Sequence, residues 1–201
     1  MIRADLHIHT KYSGDSSINP KTIVDQLFAH AAIKAIAITD HGSIEGCQKV
    51  LELASEYTDI LIIPGVEITT PEGDLLVLGI EELPPKPWNV KDVIDFAKES
   101  AGLVVVAHPY REYGLGDSAR NYSFDAVEVL NGCAPPHLNK LAESLAKEMG
   151  LPGVAGTDAH NVDELWRVST EIRASLDIDE ILKAIRKGLV RVSSTDKSIR
   201  F

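Results

Sequence analysis

Apolar runs of strand length alternate with segments of helical period along this chain. Residues 35–39, 60–66, 103–107, 126–130 and 153–157 are continuous or nearly continuous apolar stretches. Such runs fit strands covered on both faces. A further strand is predicted over 74–79, after the turn Thr70-Pro71-Glu72-Gly73, and another around Asp5-Leu6-His7-Ile8-His9. Between them lie helices with recognisable ends. Asn19-Pro20 supplies an N-cap and a first-turn proline for a helix over 20–32, with Ile23, Val24, Leu27, Phe28 and Ala31 at helical period. Ser43 caps a second, whose inner face carries Cys47, Val50, Leu51 and Ala54. Asn89, with Asp92 three residues on, opens a third, with Val90, Val93, Ile94 and Ala97 inward and Gly102 at its close. A fourth, near 137–149, carries Leu138, Leu141, Ala142 and Leu145 and stops at Gly150. Asp177 caps the last, with Ile178, Ile181, Leu182 and Ile185, which ends at Gly188. About seven such alternations predict an α/β chain with a mostly parallel sheet, and the repetition favours a barrel over an open sheet. No repeat, low-complexity stretch or linker divides the chain, so 1–201 reads as one domain.

Composition narrows the setting. With 44% hydrophobic and 25% charged residues, 201 residues suit one well-buried core. No apolar run approaches the ~18 residues of a membrane span, and Asp5, His7 and His9 interrupt any signal-peptide core. The expected location is cytoplasmic, with Cys47 and Cys133 both reduced. A formal charge of −10 argues against a general nucleic-acid-binding surface. It leaves a nuclease open, because carboxylates that hold metal ions count as negative until the ions are bound.

The candidate chemistry sits at the strand ends. His7 and His9 stand at i and i+2, which in a strand puts both imidazoles on one face, ready to chelate a cation. Asp40 and His41, Glu67, His108, and Asp158 and His160 also lie at or just past the C-terminal end of an apolar run. In a β/α barrel those ends converge on one face. Five of the seven histidines fall at such positions, which scattered solvent-facing histidines would not do. Imidazoles mixed with carboxylates, without clustered thiolates, suit Zn²⁺, Mn²⁺ or Fe²⁺. The inventory exceeds the needs of one four-coordinate ion, so several ions are expected, with Glu67 suited to bridge two. A centre of that kind lowers the pKa of a bound water and clamps an oxyanion, which is the machinery of phosphoester hydrolysis.

The motifs D-L-H-x-H at 5–9, T-D-H at 39–41, G-V-E at 65–67, H-P at 108–109 and T-D-A-H at 157–160, in this order, resemble the PHP (polymerase and histidinol phosphatase) family. The resemblance covers essentially the whole chain. It implies a distorted (β/α)7 TIM-like barrel with two or three divalent metal ions at the C-terminal ends of the strands. It assigns His7, His9, Glu67 and Asp158 to one ion, Glu67 and His108 to a second, and Asp15, His41 and His160 to a third. Many relatives carry a histidine after the Glu67 strand, where this chain has Gly73-Asp74-Leu75. Either Asp74 substitutes as an oxygen ligand or that ion is held weakly.

Roles around the ligands follow from residue type. Asp40 precedes a ligand histidine and is a candidate proton acceptor or imidazole orienter, the alternative being a strand-end cap. His160 counts among the catalytic candidates as well as the ligands. Arg111, three residues after His108, is the candidate for gripping a substrate phosphate, ahead of Arg120 and Arg167. Asn131, at another strand end, is a candidate substrate contact, and the loop 110–122 is expected on the rim. Cys133 reads as a buried cysteine, and His30 and His137 as structural. The expected activity is metal-dependent hydrolysis of a small phosphorylated metabolite or nucleotide. The alternatives are a nuclease or nucleic-acid end-processing phosphatase using the same centre, with Lys11, Arg111, Arg120 and Arg167 as a local basic patch, and a non-catalytic metal-binding scaffold. No membrane partner is expected. Histidinol phosphate is a family-level substrate that no residue here singles out.

Overall fold

Side-chain caps set most of the helix starts. The Asn19 side chain accepts from Lys21 N, Asn89 from Asp92 N and Asp177 from Glu180 N, each cap worth about 1 kcal/mol. In the computed structural model, which describes residues 1–195, the order is β1 (Ile2–Ile8), α1 (Pro20–Ala29), β2 (Ile33–Ile38), α2 (Glu45–Ala54), β3 (Leu61–Thr69), β4 (Asp74–Leu78), α3 (Val90–Glu99), β5 (Leu103–Val106), β6 (Ala126–Asn131), α4 (Pro136–Met149), β7 (Gly153–Gly156), β8 (Val168–Ile172), α5 (Ile178–Arg186) and β9 (Val190–Ser194). Helix α1 ends before the predicted 32. His30 turns to extended backbone, and its Nδ1 accepts from Ala32 N (3.1 Å) and Ile33 N (2.9 Å). Phe28, Leu51 and Leu141, at positions whose period suggested burial, are exposed. Ser43 Oγ does accept from Glu45 N (3.2 Å), but Ile44 occupies the cap position of α2.

The strands form one sheet in the order β7-β6-β5-β4-β3-β2-β1-β8-β9. It is less parallel than the sequence pattern suggests. The pairs β1–β2, β2–β3, β5–β6 and β6–β7 are parallel, while β4 runs antiparallel to both neighbours. The short turn from β3 leaves no length for a crossover, so β4 has to return against its neighbour. β8 and β9, which the apolar pattern did not disclose, form an antiparallel pair added beside β1. The barrel closes between β1 and β7, where Asp158 N donates to His7 O (2.7 Å) and His9 N to Ala159 O (3.1 Å). Lower down, Thr170 Oγ1 of β8 accepts from Ala155 N (2.8 Å) and donates to Ala155 O (3.0 Å), standing in for ladder bonds. The result is a nearly closed, distorted barrel of the (β/α)7 TIM-like type.

The apolar packing holds the lower barrel shut. Ile181, Leu182 and Ile185 of α5 share one buried cluster with Ala4, Leu6, Ala35, Ala37, Leu76, Leu78 and Leu103. Each fully buried Leu or Ile contributes about 1.5–3 kcal/mol. Ile8, Ile36 and Ile38 pack outward in a separate cluster with Ile23, Leu27 and Val50 of α1 and α2. No helix among the described residues is long and apolar enough to cross a membrane.

Two register slips decide what faces the interior. Between Asp5 and Ile8 of β1 the pairing with β2 advances by only two residues, from Ile36 to Ile38. That β-bulge lets Leu6 join the inner apolar cluster while His7 and His9 also meet the inner ligands. A second slip in β6, where Glu128 pairs with Val154 and Leu130 with Ala155, brings Glu128 and Asn131 together although they are three residues apart. Asn131 Nδ2 donates to Glu128 Oε2 at 3.0 Å.

Candidate metal centre

Three groups of ligand-type atoms meet at the C-terminal end of the barrel. His7, His9, Glu67 and Asp158 form the innermost, all buried. His7 Nε2 lies 3.0 Å from His9 Nε2 and 3.3 Å from both Glu67 Oε2 and Asp158 Oδ1. His9 Nε2 is 3.1 Å from Glu67 Oε2 and 3.2 Å from Asp158 Oδ1. Ligand atoms at ~2.0–2.1 Å around a tetrahedral ion stand about 3.3 Å apart, so these four atoms outline such a shell. Glu67, Asp74 and His108 form the second group, with His108 Nε2 2.9 Å from Glu67 Oε1 and 4.0 Å from Asp74 Oδ2. The third combines Asp15, His41 and His160 with His9. Asp15 Oδ2 lies 3.2 Å from His41 Nε2 and 3.3 Å from His160 Nε2, and His41 Nδ1 lies 3.2 Å from Glu67 Oε2.

The donor set fits divalent ions on its own chemistry. Burial pushes the Glu67 and Asp158 carboxyls up, but the neighbouring histidines outweigh it and hold both well below the usual carboxylate range. Burial likewise disfavours the charged forms of His7 and His9. The surrounding acids reverse this, raising His7 well above its ordinary value and His9 to about 9. Such a cluster of buried carboxylates demands positive charge, which protons supply when metal does not. Two buried atoms, Asp74 Oδ1 and His108 Nδ1, have no hydrogen-bond partner. Burial followed by the charge of Glu67 lifts the Asp74 carboxyl to about 6. An orphaned carboxylate oxygen on the wall of a ligand cluster suits a cation.

Supporting contacts orient the ligands. His7 Nδ1 faces Glu128 Oε1 at 3.0 Å, His9 Nδ1 faces Ser13 Oγ at 2.9 Å, and His160 Nδ1 faces Asp158 O at 2.8 Å. Each leaves Nε2 toward the centre, the arrangement in which the far ring nitrogen fixes the ligand. Asp5 accepts from Thr157 N (2.8 Å) and Thr157 Oγ1 (2.6 Å), tying β1 to β7 beneath the innermost group. His108 and Asp158 adopt positive φ (23° and 56°), a strained backbone of the kind functional sites retain.

An open cavity of about 510 Å³ lies over the centre, lined by Asp15, His41, Glu67, Asp74, His108, Asp158 and His160 together with Thr69 and the loop residues Arg111, Glu112 and Tyr113. Arg111 Nη1 contacts Asp158 Oδ2 and lies 3.3 Å from Asn131 Oδ1. Asn131 is fully buried and outside that wall; its Nδ2 donates to Asp158 Oδ2 (3.1 Å). The structure therefore gives it a bracing position rather than the substrate contact expected from its strand end. Asp40 is also absent from the wall. Its oxygens accept from Thr10 N (2.5 Å) and Thr10 Oγ1 (2.7 Å), the arrangement of a strand-end cap. Arg120 pairs with Asp117 and Glu148, and Arg167 with Asp163, away from the cavity. Cys133 is half-buried, its Sγ 3.4 Å from Asp158 O. Glu128, a charged residue inside the apolar run 126–130, is the member sequence reasoning missed, and that misplaced charge was its signal.

The comparisons with known proteins bear on this geometry. The model of the PHP domain matches residues 5–113, more than half of the chain, and that of the PHP-associated region matches 136–190. This chain belongs to the PHP domain family. The uncharacterized protein MJ1587 of Methanocaldococcus jannaschii is 36% identical over 142 residues, covering 65% of this chain and 82% of its own. Among solved structures, this PHP domain is similar to a two-domain protein from Bacteroides vulgatus described as containing a predicted PHP-like metal-dependent phosphoesterase. The TM-score is 0.80 at 19% identity, over 96% of this chain and 64% of that one. PsfC from Pseudomonas syringae superimposes with a TM-score of 0.74 at 17% identity, over 100% and 95% of the two chains. At these identities the structural likenesses show the fold. This PHP domain spans about two thirds of the length of the Bacteroides protein. All five motifs lie within the two matched regions, the first four in 5–113 and T-D-A-H at 157–160 in 136–190.

Proposed function

We propose that this PHP domain is a metal-dependent phosphoesterase that hydrolyses a small phosphorylated metabolite or nucleotide, using two or three ions of Mn, Zn or Fe. The observation that carries the reading is the placement of Arg111. Its guanidinium lies against Asp158 of the innermost group, on the wall of the cavity that members of all three ligand groups line. Among the described residues only its Nη1 end is engaged in side-chain contacts, which leaves Nε and Nη2 to grip a phosphate bidentately. His7, His9, Glu67 and Asp158 would hold one ion, Glu67, Asp74 and His108 a second, and Asp15, His41 and His160 a third. Ions held there supply Lewis acidity toward a phosphoryl oxygen and make water a better nucleophile near neutral pH. The protein's share is placement: Arg111 anchors the phosphate, Asn131 braces Arg111, and His160 keeps its Nε2 lone pair toward the cavity.

The nuclease reading needs a basic track. Of Lys11, Arg111, Arg120 and Arg167, Arg111 alone lines the cavity, whose wall also carries Asp15, Asp74 and Glu112. A small substrate with one phosphate suits this balance better than a polyanion. The unpaired Cys47 and Cys133 agree with a cytoplasmic setting. The test is a panel of phosphomonoesters, nucleotides and oligonucleotides incubated with Mn²⁺-, Zn²⁺- or Fe²⁺-loaded protein. Turnover of small phosphate esters is expected. No turnover with any metal would overturn the reading, and steeply salt-dependent activity confined to oligonucleotides would replace it with the nuclease.

A further inference from the structure

Glu128 is buried within the centre yet belongs to none of the three ligand groups. Its Oε1 faces His7 Nδ1 at 3.0 Å. Its Oε2 accepts from His108 N (2.8 Å) and from Asn131 Nδ2 (3.0 Å). The first of these donors is a backbone N–H and has no alternative role. The second is fixed as well, because Asn131 Oδ1 accepts from Cys133 N (3.0 Å) and Arg111 Nη1 (3.3 Å), so the amide cannot flip. The contact with His7 is built into the barrel. A Cβ at Gly156 would come within 2.3 Å of His7 Cβ and 2.9 Å of Glu128 Oε1, so β7 approaches this pair only as glycine.

We propose that Glu128 is a positioning residue that sets the tautomer of His7, holding the ring proton on Nδ1 and presenting the Nε2 lone pair to the innermost ion. This rests on the metal-centre reading above. Two N–H donors fix Oε2 as an acceptor, and an ionised carboxylate offers only an acceptor at Oε1 as well, which singles out the carboxylate. In Glu128→Gln, the amide oxygen has to remain toward His108 N and Asn131 Nδ2, since the other orientation sets two donors against a third. The NH₂ group then points at His7 Nδ1 and makes that nitrogen an acceptor. The proton moves to Nε2, where it opposes a cation. An isosteric substitution thus changes one proton on a residue 121 positions away in sequence.

The test is long-range ¹H–¹⁵N spectroscopy of the metal-free wild type and Glu128→Gln, at a pH where the imidazoles are neutral, with His7 assigned through His7→Asn. The wild type should show the Nδ1–H form and the variant the Nε2–H form. Competition against a chromophoric chelator, with Zn²⁺ alone as probe, should show the first ion bound about 10–100-fold more weakly by the variant, with cooperative unfolding retained. A wild type in the Nε2–H form, a variant that keeps Nδ1–H, or equal Zn²⁺ affinity would overturn the proposal. Should the variant fail to fold, the wild-type spectrum still decides the tautomer. A wild type that bound no Zn²⁺ would overturn the metal-centre reading while the spectra judged the tautomer on their own.

Discussion

The innermost and outermost ligand groups use the same residue types in different surroundings. His7, His9, Glu67 and Asp158 are buried at the ends of β1, β3 and β7, and Glu128, Ser13 and Asn131 hold their far sides. Asp15, His41 and His160 stand on loops and remain partly exposed, with Asp15 about half so. The titration of the two groups differs accordingly. Burial disfavours charge on His7 and His9, yet the adjacent carboxylates hold both in the protonated form past neutrality. His41, where burial outweighs the attraction of Glu67 and Asp15, is shifted below its ordinary value and is neutral near pH 7. An ion entering the inner position would therefore displace protons, whereas at the outer one His41 would offer a ready lone pair. Rigidity and proton competition belong together here, because the buried acids that preorganise the inner ligands also hold their protons.

Removing an inner ligand tests the comparison most severely. His7→Ala or Asp158→Ala should abolish turnover while thermal unfolding stays cooperative. Full activity in either variant would show that the inner group is not the heart of the centre. Arg111→Ala comes next, with kcat/KM expected to fall roughly 10²–10³-fold at unchanged metal content. Arg111→Lys should recover little of it, since a point charge does not replace the bidentate fork. Loss of bound metal in Arg111→Ala would instead make the arginine part of the ligand scaffold.

The pH dependence sharpens the contrast further. Histidine binds metal only when neutral, so the raised values of His7 and His9 mean that loading the inner position at neutral pH releases protons. Zn²⁺ affinity should climb with pH toward about 9, the value for His9. In the metal-free protein the same shift has the opposite sign for stability. The contribution of His9 is fully present below its unfolded value and is lost as pH rises through about 9. Calorimetry in buffers of different ionisation enthalpy reads the proton release, and an affinity flat from pH 6 to 9 would remove the distinction between the groups. The smallest effect is expected at the rim. Asp15→Asn should weaken one ion on the order of tenfold, about 1.4 kcal/mol, leaving inner occupancy and melting temperature nearly unchanged by elemental analysis and calorimetry.

Much of this architecture could be read locally. The helix starts at Asn19, Asn89 and Asp177 follow from caps that act within three residues. The apolar runs placed β2 to β7, and most candidate ligands stand where such runs stop, whereas Asp15 sits in a polar loop and Asp74 opens β4. What failed was whatever depends on a distant neighbour. Phe28, Leu51 and Leu141 have the right period, but no packed element covers them. β8 carries Ser169, Thr170 and Glu171 and is a strand because β1 and β9 pair with it. Asp40 and Glu128 show the same limit within the site. Asp40, just past the end of β2, accepts from Thr10, while Glu128, in the middle of β6, faces His7.

By itself, then, the sequence determined the donor types, their order and their attachment to successive strand ends, because hydrophobic period and capping are short-range. The tertiary structure decided which donors come together, which histidine nitrogen faces each group and which arginine reaches the cavity. The bulges in β1 and β6 and the closure of β1 on β7 set those distances. They are long-range events: the contact that orients His7 joins residues 121 apart, and the bond that ties Asp5 to Thr157 joins residues 152 apart.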